Sequence, residues 1–195
     1  MNIQGLVCGI GINDADYTVT KYKTIDGVSR LVWICPFYQV WRNMINRVYS
    51  GRHSSYSGCS VCNDWLKFSE FKCWMEMQAW ENKEIDKDIL EPGNKIYSQE
   101  MCVFIPGALN MFTTDRAANR GDHPLGVSWC RRSKKFLAKC KNPFTLKEDG
   151  LGYFDCPDLA HEAWRAKKHS HALRYAEIQT DQRIACALRI RYDMI

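Results

Sequence analysis

Residues 124–168 read PLGVSWCRRSKKFLAKCKNPFTLKEDGLGYFDCPDLAHEAWRAKK. The pieces GVSWCRR, KFLAKCK and LGYFDC have strand character, and Ser133, Asn142-Pro143 and Gly150 separate them as turn residues. The period then changes. CPDLAHEAWRAKKHSHALRYAEIQ reads as a helix, with Pro157 near its start and Leu159, Ala163 and Ala166 near one face. Three strands followed by an alanine-lined helix predict a small antiparallel sheet with one face covered. This places the chain in the α+β class. The tail DQRIACALRIRY keeps the helical period through Ile184, Ala187, Leu188 and Arg191.

Upstream, CPFYQVWRNMINRVYS predicts an amphipathic helix that Pro36 can start. Its apolar stripe is Phe37, Val40, Trp41, Met44, Ile45 and Val48. A Gly/Ser-rich loop, SGRHSSYSG, follows. In CSVCNDWLKFSEFKCWMEMQAW a second helix is expected from about Ser69, burying Phe68, Phe71, Trp74 and Met75. EIDKDILEPGNKIYSQEMCVF predicts two short strands around a Pro92-Gly93-Asn94 turn, then a helical turn that Ser98 could cap. PGALNMF starts another short helix, and TTDRAANRGDH reads as a linker. The expected organisation is a domain over 1–112, a linker over 113–123, a sheet-and-helix domain over 124–177 and a terminal helix over 178–195.

The chain has 195 residues, 46% of them hydrophobic and 12% aromatic, enough for a packed core. Its apolar runs, such as Val103-Phe104-Ile105, fall far short of the ~20 residues of a membrane span. The opening MNIQGLVCGIGINDADY lacks the basic start and apolar stretch of a secretory leader. The ten cysteines are therefore expected to stay reduced. Net charge is +5, distributed unevenly: residues 124–195 carry +6 and residues 1–123 carry −1. A basic C-terminal third suits nucleic acid, and equally an ordinary solvated surface.

The order and spacing of Gly126-Val127, KKFLAKC, LGYFDC (with Leu151-Gly152 and Phe154) and LAHEAW resemble the AP2 DNA-binding domain family over about 50 residues. The resemblance implies a three-stranded antiparallel sheet, backed by one helix, that enters the DNA major groove. It implies DNA contacts from Trp129, Arg131 and Arg132 on the first strand or its turn, Lys134 and Lys135 at the hairpin, and Lys139 and Lys141 on the second strand. Arginine reads guanine bidentately, whereas lysine holds phosphate as a point charge. Ser128 and Cys130 stand where family members often carry basic residues, which weakens the expectation of tight sequence specificity.

In the acidic stretch, Asp86 and Asp88 would share one strand face. That fits joint metal binding and fits equally a pair of exposed edge acids. DKDILEPGN is similar to the HKDG…N run of phage HNH homing endonucleases. The layout CPFY…W…M…Y, CSVC..W..F..F and DKD…GNK.YS also looks like a group of phage proteins. The resemblance implies a ββα-metal unit that hydrolyses a DNA phosphodiester around Mg²⁺ or Mn²⁺. Asp86 and Asp88 would be metal-side carboxylates, Asn94 a further ligand, and Lys87 a phosphate contact. The sequence departs from the family at its base. Asp86 replaces the histidine in one alignment, and Lys87 sits at that position in the other. An aspartate with an ordinary pKa near ~3.9 is a poor base at neutral pH. His53 in GRHSSY is the candidate substitute.

Cys59 and Cys62 form a C-x-x-C that could hold half of a zinc site, with Cys35, Cys73 or Cys102 completing it, or could simply be buried thiols. GIGIND is too short for a nucleotide loop. His161, His169 and His171 have no ligand-set spacing. The resemblances together imply an HNH-like DNA endonuclease with an appended AP2-like domain, in the cytoplasm of an infected bacterial host, with double-stranded DNA as partner. The alternative is a catalytically inactive, regulatory DNA-binding protein on a degenerate HNH scaffold. A third reading is a protein that binds a host protein through its aromatic-rich N-terminal half.

Overall fold

The structure, a computed structural model, describes residues 5–114 and 122–193. It is a mixed α+β chain that divides into two compact units, Met1–Pro106 and Gly107–Ile195.

The first unit opens with a hairpin of β1 (Thr20–Ile25) and β2 (Val28–Ile34). Asp26 and Gly27 close it with φ of 54° and 75°, the left-handed pair that a two-residue hairpin turn requires. Helix α1 (Pro36–Tyr49) begins at Pro36 as expected and fully buries Tyr38, Trp41, Met44 and Ile45. Phe37, Val40 and Val48 are only partly buried against the same core. Helix α2 (Phe68–Glu76) buries Phe68, Phe71, Trp74 and Met75. The core is a set of touching rings. Trp41 packs on Tyr38 and Phe68, with centroids 5.5 and 5.6 Å away, and Trp65 packs on Trp74 at 4.4 Å. The Trp41 indole donates to the Trp65 carbonyl at 2.8 Å, so its polar edge is satisfied inside the core. Truncating such a buried tryptophan costs about 3–5 kcal/mol.

Four short strands complete this unit: β3 (Ser60–Val61), β4 (Glu84–Asp86), β5 (Ile96–Tyr97) and β6 (Val103–Ile105). Their pairing differs from the expected strand–turn–strand. β4 and β5 are not partners. β3 pairs with β5 in parallel, and β4 pairs with β6 antiparallel. Burial explains the choice. All of Val103–Ile105 is buried, Ile85 lies opposite Phe104, and Phe104 stacks on Trp74 at 5.5 Å. The expected helical turn at Ser98 is a single turn, closed by the Cys102 amide on the Ser98 carbonyl at 2.9 Å.

The second unit comprises α3 (Gly107–Thr113), β7 (Val127–Cys130), β8 (Lys135–Lys141), β9 (Glu148–Phe154), α4 (Pro157–Glu177) and α5 (Gln182–Ile190). The strands form an antiparallel sheet in the order β7-β8-β9, with a bulge opposite Ala138/Lys139. Pro157 starts α4, and α4 packs on all three strands. Small residues permit close approach: Ala138 and Ala160 are fully buried. Gly126 is the tightest point. It has φ of 75°, and a Cβ there would lie 1.9 Å from Trp164 Cδ1.

Helix α5 is capped by Asp181, whose side chain accepts from the Arg183 amide, and it packs on α4. Helix α3 also belongs to this unit, with Phe112 against Tyr175 and Tyr192 at 5.1 and 5.8 Å. The division therefore falls at Pro106/Gly107, ahead of the expected linker 113–123. Residues 115–121 of that stretch lie outside the described residues.

One core feature of this unit is unusual. The Lys168 ammonium lies 3.8 Å from the Phe112 ring centroid, 5.7 Å from Tyr192 and 5.9 Å from Trp164. Burial pushes its pKa down from 10.5 to about 8. Among the described residues, no helix is long and apolar enough to cross a membrane.

Candidate nucleic-acid interface and the acidic loop

The acidic loop is built from its own hydrogen bonds. β4 ends at Asp86, so Asp86 and Asp88 do not share a strand face as expected. Asp86 Oδ1 instead accepts from the backbone amides of Asp88 (2.9 Å) and Ile89 (2.6 Å), a local turn typical of aspartate. Asn94 closes the other end. Its Nδ2 donates to the carbonyls of Lys87 (2.9 Å) and Ile96 (2.7 Å), and its Oδ1 accepts from the Ile96 amide (3.0 Å).

Lys87 lies between them and is only 6% exposed. Its ammonium donates to both Asp88 carboxylate oxygens at 2.8 and 2.9 Å and to the Asn94 carbonyl at 2.5 Å. The sequence leads one to expect a surface phosphate contact from Lys87; burial and these bonds turn its charge inward. Aspartate and asparagine oxygens are hard donors that suit Mg²⁺ or Mn²⁺. As folded, however, the set does not fit such an ion, because the Lys87 ammonium is the cation that Asp88 and the Asn94 carbonyl already hold.

His53 lies elsewhere in the first unit. It precedes a 3-10 turn, Ser54–Tyr56, and its ring meets Tyr56 edge-on at 6.3 Å. It lines an open groove of about 680 Å³ with Cys8, Asn43, Asn46, Arg47, Tyr49, Ser50 and Arg52. None of Asp86, Asp88 or Asn94 lines that groove.

Cys59 and Cys62 are partly buried, and burial pushes the Cys62 thiol up. Cys102 is fully buried close enough to feel Cys62, and burial pushes its thiol up as well. Cys35 sits against Tyr17 instead, and Cys73 is exposed. Among the described residues, no three His, Cys, Asp or Glu side chains gather closely enough to hold a metal ion.

In the second unit the strand register sorts the expected DNA contacts. Trp129 lies opposite Phe136, and Phe136 lies opposite Phe154. Opposed residues share a face, as do alternate residues along one strand. Trp129 and Phe136 therefore lie on the face that also carries buried Ala138 and Cys140, toward α4. Their rings are 4.8 Å apart.

The open face carries Ser128, Leu137, Tyr153, Lys135, Lys139 and Lys141. Trp129 is thus on the opposite face from the three lysines, although it remains 45% exposed. Two of those lysines have partners. Lys135 meets Asp155 at 3.0 Å, and Lys139 meets Glu148 at 3.5 Å. Arg131, Arg132 and Lys134 fill the turn between β7 and β8, where Lys134 takes φ of 53°. Among the described residues, no ion pair engages these three or Lys141. The sheet end thus concentrates uncompensated positive charge.

Of the α4 histidines, His171 is buried and His161 and His169 are half-buried. His161 Nδ1 is 2.9 Å from the Leu125 carbonyl, and its ring stacks on Trp164. His171 is 2% exposed, 3.9 Å from Asp149, and burial pushes its pKa down. Comparison of the chain with models of protein families, with curated proteins and with solved structures gives no match.

Proposed function

We propose that this protein binds duplex DNA through the β7–β8 turn and the open face of its C-terminal sheet. On this reading the 84–105 segment is a scaffold loop, as in the regulatory DNA-binding alternative. The observation that carries the reading is the turn itself, where Arg131, Arg132 and Lys134 stand together with no carboxylate partner among the described residues. Support also comes from the three-stranded antiparallel sheet backed by one helix, which is compatible with the AP2 resemblance. The major groove, about 12 Å wide, accepts such an element.

The test is fluorescence anisotropy with labelled duplex at several salt concentrations. Arg131→Gln/Arg132→Gln/Lys134→Gln should bind more weakly. Its plot of log affinity against log salt should be shallower by about 2.7, at about 0.9 for each phosphate left without its cation. An unchanged slope with unchanged affinity would refute the interface.

A second reading, a metal-dependent DNA endonuclease, draws on one observation: Asp86, Asp88 and Asn94 are gathered in a single loop. It requires Lys87 to leave the position between Asp88 and Asn94. Nicking of supercoiled plasmid with Mg²⁺ or Mn²⁺, lost in Asp86→Ala while DNA binding persists, is its test.

A further inference from the structure

The β1–β2 hairpin belongs neither to the acidic loop nor to the C-terminal sheet. Every side chain in it except Thr20 and Ile34 is exposed. Tyr22 is 60%, Val28 56% and Val32 53% exposed, so both faces of the ribbon meet solvent. A two-stranded hairpin standing alone is at best marginally stable in water, and this one buries little of its apolar surface.

The register shows how its charge is arranged. Lys21 lies opposite Trp33, and Lys23 lies opposite Arg30. By the same face rule, Lys21, Lys23, Arg30 and Trp33 share one face. Tyr22 and Leu31, also opposed, lie on the other with Thr24 and Ser29. The first face is cationic and aromatic; the second is neutral. The Lys21 ammonium lies 5.3 Å from the Trp33 ring centroid. Lys23 and Arg30 are like charges set directly against each other, a pairing that costs stability. Among the described residues, no ion pair relieves Lys21, Lys23 or Arg30. The acid of the hairpin, Asp26, is in the turn.

An unrelieved row of cations beside an indole is complementary to a polyanion that also offers flat apolar surface. Duplex nucleic acid has both. Strands about 4.8 Å apart make a ribbon narrow enough, with side chains, for a groove about 12 Å wide. We propose that the β1–β2 hairpin is a second duplex-DNA contact, presenting the Lys21/Lys23/Arg30/Trp33 face to phosphates and groove. This inference rests on duplex DNA being the partner, as in the proposed function, and adds a contact from the other unit.

The experiment uses the full chain and three proteins: wild type, Lys21→Gln/Lys23→Gln/Arg30→Gln, and the turn variant Arg131→Gln/Arg132→Gln/Lys134→Gln. Affinity for a labelled mixed-sequence duplex is measured across a salt series. Far-UV circular dichroism and thermal melting check the fold, and sedimentation velocity without DNA checks association. The hairpin variant should bind at least about tenfold more weakly, with a salt slope shallower by about 2.7 for three phosphates no longer neutralised.

If the turn variant weakens binding while the hairpin variant matches wild type in affinity and slope, the hairpin proposal fails and the sheet interface stands. If the hairpin variant alone weakens binding, the hairpin stands and the sheet interface fails. Wild type that binds no duplex overturns both. Self-association that the hairpin variant abolishes, with its salt slope unchanged, identifies a second copy of the chain as the occupant and overturns the proposal.

Discussion

Lys168 offers a quantitative test of the C-terminal core. Replacing it with methionine keeps an unbranched side chain among Phe112, Trp164 and Tyr192 and removes only the charge. The ammonium is opposed by two effects of different size. Its pKa falls from the ordinary 10.5 to about 8, with burial the largest cause, which corresponds to about 3 kcal/mol of unfavourable charging. The surrounding ring faces return up to about 2 kcal/mol of that. The net cost of keeping Lys168 charged inside the fold is therefore about 1–3 kcal/mol.

The sign with pH follows directly. The folded-state pKa lies below the unfolded one, so between the two values the unfolded chain holds the extra proton. Stability should rise with pH from about 8 toward 10.5, and the penalty is fully present below about 8. Lys168→Met should be more stable than wild type by about 1–3 kcal/mol at about pH 7, and that advantage should shrink as pH rises through the window. For a unit of this size each kcal/mol moves the melting point by about 4–8 °C. Urea unfolding under reducing conditions at several pH values measures the difference. Groups that do not sense Lys168 are common to both proteins and cancel; the Cys140 thiol does sense it, so both proteins carry Cys140→Ala. A Lys168→Met protein that is less stable than wild type near neutrality, with an unchanged denaturant slope, would refute the reasoning: the cage would then favour its cation over an apolar side chain.

Two further outcomes follow from packing and hydrogen bonding. Gly126→Ala places a methyl group against Trp164 at a positive φ; a loss of about 3 kcal/mol or more is expected in thermal melting of the second unit. Lys87→Met removes a buried charge that holds Asp88 and Asn94. It should destabilise the first unit by about 1.5–3 kcal/mol. If added Mg²⁺ restores the melting point of Lys87→Met but leaves wild type unmoved, the loop can exchange its ammonium for a divalent ion.

The elements most legible in sequence are those with long, one-sided periods. Helix α1 shows Trp41, Met44 and Ile45 at helical spacing, and β7, β8 and α4 fall close to where composition and turn residues put them. Two details differ: Gly150, expected as a turn, pairs with Lys139 inside β9, and α4 buries Ala160, Ala172 and Ala176 while Leu159 is exposed. The β1–β2 hairpin escapes a reading by pattern, because neither of its faces is buried and so no in–out alternation marks it. The signal present is Asp26-Gly27 between apolar runs, the pair that a tight hairpin turn selects. The pairing of β4 with β6 is equally hidden, since strands of three residues carry too little pattern to choose a partner. Tertiary contact between Phe104 and Trp74 accompanies that choice.

At the acidic loop the residue types suggest a site, but not their occupation by one another. That Asp86 serves two backbone amides depends on where β4 stops. The separation of Trp129 from Lys139 across the sheet likewise needs the register, which single-strand spacing does not supply.

The membership of α3 in the second unit bears on where this chain can be divided. Composition invites a cut in the polar stretch after residue 113, leaving the sheet and α4 as a portable module. Such a fragment would lack Phe112, whose ring faces Tyr175, Tyr192 and the Lys168 ammonium. The excised piece would expose an aromatic surface and leave a half-desolvated cation beside it. A fragment that begins at Gly107 keeps that wall. The natural unit of exchange, in evolution or in the laboratory, therefore starts one helix earlier than the composition suggests.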